Sequence, residues 1–91
     1  MIKEILFKTL DNAESLASKY SGGYSGQFSS AQEFHLSLTE SIEKLKSGDD
    51  SQLDKFKIWF LPTSAWDDFV GFEGQDLANQ ISDILIQMKN Y

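Results

Sequence analysis

Trp59-Phe60-Leu61-Pro62-Thr63-Ser64-Ala65-Trp66-Asp67-Asp68-Phe69-Val70-Gly71-Phe72 gathers five of the chain's twelve aromatic residues, its only proline and a doublet of acids. Large rings beside adjacent carboxylates are costly to bury and awkward to leave in water. The stretch is therefore either the place where a small fold packs shut or a surface for a partner. Its flanks are helical. Upstream, Leu53, Phe56, Trp59 and Phe60 recur at helical spacing, after an Asp49–Gln52 pair at the spacing of a capping box. Pro62 is expected to stop that helix, because the residue before a proline is pushed out of the helical region. Downstream, Gly74 to Asn90 reads as a final helix with Leu77, Ile81, Ile84 or Leu85, and Met88 on one face. Residues 61–73 between them read as an irregular connection.

Further out the pattern stays helical. Ala31, Phe34, Leu38, Ile42 and Leu45 form one stripe, with Ser30 three residues before Glu33 as a start signal and Gly48 as a C-terminal cap. Residues 2–20 carry Ile2, Leu6, Leu10, Ala13, Leu16 or Ala17, and Tyr20 at three-to-four spacing. Residues 21–27, with three glycines and two serines, read as a plain connector in preference to a binding loop. No stretch alternates apolar and polar residues over a strand's length. The expected class is all-α: one domain over residues 1–91, a small bundle of about four helices with an irregular aromatic-rich connection before the last.

Composition narrows the chemistry. With no cysteine, disulfides and thiolate metal sites are excluded. The first eight residues mix charge with apolar groups and do not read as a secretory signal, and no run reaches the ~18 apolar residues of a membrane span. A cytoplasmic setting without membrane contact is the expectation. Eight lysines against fourteen acids give a net charge of −6, and there is no arginine. Such a chain is a poor binder of nucleic acid, whose phosphates and base edges are read above all by arginine and lysine. The excess is uneven: residues 62–91 hold five acids against Lys89 alone. A basic partner would feel that end of the chain.

No catalytic, metal or cofactor residues are assigned. Asp67, Asp68, Glu73 and Asp76 fail the spacing of a calcium loop, with Phe69 and Gly71 where oxygen ligands belong. Adjacent aspartates do not present two carboxyls across a cleft as acid–base catalysis on a sugar would need. His35, the only histidine, lies near the edge of an apolar stripe, and no nucleophile elbow accompanies it. Gly71-Phe72-Glu73-Gly74 precedes a helix, but it lacks a phosphate-binding lysine and carries an acid. Its glycines are expected to let the backbone turn into the last helix. Trp66 stands apart as either core or surface, since interface hot spots favour tryptophan ringed by polar groups.

The run Trp59 to Gly71, followed by Gly74-Gln75-Asp76-Leu77-Ala78-Asn79, resembles the C-terminal motif of small bacterial proteins, some of which look like immunity proteins encoded beside contact-dependent or other polymorphic toxins. The similarity covers about residues 38–80. It implies a stoichiometric, non-enzymatic inhibitor that neutralises a basic cognate toxin, such as a nuclease. Trp66 would be its apolar anchor, and Asp67, Asp68, Glu73 and Asp76 would face the toxin's cations. The alternative is a small helical adaptor that homo-oligomerises through the aromatic stretch.

Overall fold

A computed structural model describes residues 2–24, 28–61 and 64–89. The elements run α1 (Ile2–Ala17), α2 (Ala31–Lys46), α3 (Gln52–Trp59), α4 (Ala65–Phe69), a 3-10 turn (Gly71–Gly74) and α5 (Gln75–Lys89). No strand forms among the described residues. The all-α expectation holds, but with five α-helices among the described residues, because the connection expected to be irregular folds into α4 and the 3-10 turn. Pro62, the expected stop of α3, and Asn90, the expected end of α5, lie outside the described residues, as do 25–27 of the glycine loop.

Local chemistry sets the ends. The Ser30 hydroxyl accepts the Glu33 N–H at 3.2 Å and caps α2, while the Ser29 hydroxyl donates to the Glu33 carboxylate. At the other end Gly48, at φ +108°, donates to Leu45 O, and Asp49 N–H donates to Lys44 O. These are the two bonds of a Schellman motif, which needs a left-handed residue at that point. Asp49 then shapes the turn into α3, accepting from the Ser51 N–H and hydroxyl and from Gln52 Nε2. Those Ser51 and Gln52 side-chain bonds hold its carboxyl below the ordinary carboxylate range.

α1 packs against both α2 and α5, and α3 spans α2 and α5. Leu6, Leu10, Ala13 and Ala17 of α1 meet Phe34, Leu38, Ile42 and Leu45 of α2 in the core, with Ala78, Ile81 and Leu85 from α5. Across the α1–α2 seam Lys46 donates to Asp11 at 2.9 and 3.0 Å, and His35 Nε2 lies 2.9 Å from Glu14 Oε1. Exposed pairs of this kind contribute under about 1 kcal/mol each, so the apolar seam carries the packing.

The aromatic core gathers on Phe34. Its ring packs against Phe28 (5.2 Å between centroids), Phe69 (5.6 Å, stacked), Trp59 (5.7 Å, edge-on) and Trp66 (6.5 Å). Phe60 closes on Trp66 at 4.9 Å. Edge-on and offset pairs add about 0.5–1.5 kcal/mol beyond buried area. One α2 residue thus ties α3, α4 and the end of the glycine loop into a single wall.

Candidate functional site

The site expected from the sequence was Trp66, Asp67, Asp68, Glu73 and Asp76. α4 sorts the first three by face. Ala65, Trp66 and Phe69 turn inward, while Asp67 and Asp68 are exposed. Trp66 is only 1% exposed, and its Nε1 donates to Gly74 O at 2.9 Å. The expectation of a tryptophan surface anchor is therefore corrected: the indole is a core ring whose polar handle is satisfied within the molecule. Gly74 permits this contact. A Cβ there would stand 2.6 Å from Trp66 Cζ2 and 2.6 Å from Val70 Cγ1, so the backbone can rest on the indole only without a side chain. With Trp59, Phe60, Trp66 and Phe69 buried, Leu61 and Phe72 are the large apolar residues that this stretch exposes among the described residues.

The exposed ring is Phe72. Val70 caps α4, and Gly71 then adopts φ +69°, a conformation that costs an L-residue roughly 1–2 kcal/mol. That turn takes the chain out of the inward helical register, and Phe72 emerges 92% exposed. Glu73, beside it in the 3-10 turn, and Asp76, in the first turn of α5, are exposed too. From residue 64 to residue 76 the chain carries four acids and no lysine. The corner thus presents one large apolar ring on a conformationally restricted turn, amid carboxylates. The sequence analysis placed Phe72 in the aromatic stretch and did not single it out. The available signal was its position between Gly71 and Gly74, where no helix could fix its direction.

Tyr20 reaches this corner from the other end of the chain. Its phenol is held above its ordinary range, first by burial and then by the neighbouring Glu73 carboxylate. The arrangement suits binding. Among the described residues no group of three or more His, Asp or Glu side chains is placed to hold a metal ion, and no helix is long and apolar enough to cross a membrane. Compared with protein-family models, curated proteins and solved structures, the chain gives no match in any of the three.

Proposed function

We propose that this chain is a non-catalytic binding protein whose corner from Asp67 to Asp76 docks onto a basic protein, and that the partner is a toxin which it neutralises as an immunity protein. One observation carries the docking reading: Phe72 stands 92% exposed on a constrained turn flanked by acids. A ring in water on a restricted backbone loses little entropy when covered, and truncating such an anchor commonly weakens a complex by ~10-fold or more. The surrounding carboxylates speed encounter with a cationic cleft and make it salt-dependent. The toxin assignment rests on the resemblance of the Trp59–Gly71 run.

Protection is the test. Cells producing the toxin encoded beside this chain should survive when the chain is co-produced. Phe72→Ala combined with Asp67→Lys and Asp68→Lys should abolish survival while the purified variant keeps its helical circular dichroism. A neighbouring gene with no toxin domain, or full protection by the triple variant, would sink the assignment. Self-association is the second reading, and it has a specific foothold. Leu61, Leu85 and Ile86 line a shallow groove between α3 and α5 with Lys57 and Ser82, and Ile58, Leu61 and Ile86 are exposed. Sedimentation of the pure protein separates the readings, since a stable dimer lost on Ile86→Lys favours the groove.

A further inference from the structure

The first part of the glycine loop, expected to be a plain connector, is tied to the helices at Gly22 and Gly23. Gly22 N–H donates to Gln32 Oε1 at 2.9 Å, and Gly22 O accepts from Ala31 N–H at 2.7 Å. The loop backbone also lies on α4: a Cβ at Gly23 would sit 3.5 Å from Phe69 Cδ1 and Cε1. Phe28, past the loop, packs its ring against Phe69 at 6.4 Å, and Tyr20, before it, lies near enough to Glu73 for that carboxylate to raise its phenol. These anchors tie the loop to α2's start and to the α4 corner. A slack connector needs none of them. Yet the ring it carries next, Tyr24, is left 74% exposed. Tyr24 adjoins the residue seated on Phe69, and Phe72 adjoins Glu73, whose carboxylate acts on the Tyr20 phenol. Two solvated rings therefore belong to one end of the molecule, on backbone that is already ordered.

We infer that Tyr24 and Phe72 are two halves of one docking surface, and that it takes arginine side chains of a protein partner; the inference rests on the binding reading of the acidic corner. The chemistry selects arginine. A guanidinium is flat and weakly hydrated, so it stacks on an aromatic face while its N–H groups pair with a carboxylate in two-pronged fashion. A lysine ammonium meets the carboxylates only as a point charge and has no flat face to stack. This end offers both features: exposed rings, and the carboxylates of Asp67, Asp68, Glu73 and Asp76. No lysine lies between residues 20 and 43 or between 58 and 88, Lys19 being the nearest in sequence to the loop. Fixing the backbone at Gly22 and Gly23 in advance lowers the entropy that Tyr24 would lose on binding.

The experiment titrates an arginine-rich peptide and a lysine-rich peptide of equal length into the isotope-labelled full chain, followed by NMR. The arginine peptide should bind more tightly, with shifts concentrated in residues 20–24 and 67–76. Tyr24→Ala and Phe72→Ala should each weaken it by about two- to five-fold and erase its advantage over the lysine peptide. Leu36→Ala, an exposed apolar residue on α2, should change nothing. Equal affinity for the two peptides would reduce the surface to diffuse attraction and overturn the inference. If Phe72→Ala weakens binding while Tyr24→Ala does not, the loop is no part of the surface and the inference falls, while the acidic-corner reading stands. If neither ring matters to the peptides but the corner variant still loses protection in cells, arginine recognition alone is refuted.

Discussion

Phe69 and Phe72 are the same residue type three positions apart, yet one faces the core and the other faces water. Helical spacing would put both on one stripe. Between them Val70 ends α4 and Gly71 takes a positive φ, so the second ring leaves the face that buries the first. The same contrast separates two regions. Around Phe34, rings from α2, α3, α4 and the loop's end lock together, and their worth is stability. At the 3-10 turn, a ring stands among carboxylates where it adds almost nothing to folding. That exposed ring is the one on which the proposed docking rests.

The contrast breaks most visibly at its buried pole. Phe34→Ala should cost about 3–5 kcal/mol, the range for emptying a core aromatic site. That is a large part of the stability of a small domain. Phe72→Ala should fall within about 0.5 kcal/mol of the parent, as an exposed substitution does. Urea unfolding followed by circular dichroism measures both. Comparable losses in the two variants would mean that Phe72 packs in solution and that the distinction between core ring and docking ring is wrong.

The seam between the regions is Gly74, which carries the backbone from the exposed turn over the buried indole. Gly74→Ala forces a methyl into Trp66 and Val70, and overpacking of that kind costs about 1–3 kcal/mol. Trp66 fluorescence should shift as its bond to the Gly74 carbonyl is disturbed. An unchanged midpoint and spectrum would show that the 3-10 turn moves aside freely, and that the exposed corner is not coupled to the core.

Much of this architecture is legible in the sequence. The stripes of α1 and α2 placed Leu6, Leu10, Ala13, Phe34, Leu38, Ile42 and Leu45 inward, and Ser30 and Gly48 marked the ends of α2, because periodicity and caps act locally. Residues 61–73 were not legible. α4 is five residues long, too short for periodicity to register, and it forms because Trp66 and Phe69 are held from outside by Phe34 and Phe60. The candidate site divided along the same line. Acid content identified the charged corner, but which ring faces out depended on one glycine dihedral and on Gly74 lying against the indole. Tyr20 was assigned to a core stripe by spacing. Its place near Glu73, some fifty residues away in sequence, is set by tertiary packing that no local pattern carries.

The smallest expected effect tests the approach of Tyr20 to Glu73, and with it the joining of loop and corner. Ionising Tyr20 would place a phenolate in a half-buried position beside the Glu73 carboxylate, so the folded phenol titrates above its ordinary value near 10. The folded value is raised. The stability linked to that raised value is therefore full below about pH 10 and is lost as pH rises through the folded value. Glu73→Gln removes the charge but keeps an acceptor, so Tyr20 should move only part of the way back, because burial is the larger cause. A pH series of the Tyr20 ring signal by NMR reads this directly. A Tyr20 midpoint identical in parent and Glu73→Gln would mean that the two side chains do not meet in solution. The 3-10 turn would then present Phe72 without the loop beside it.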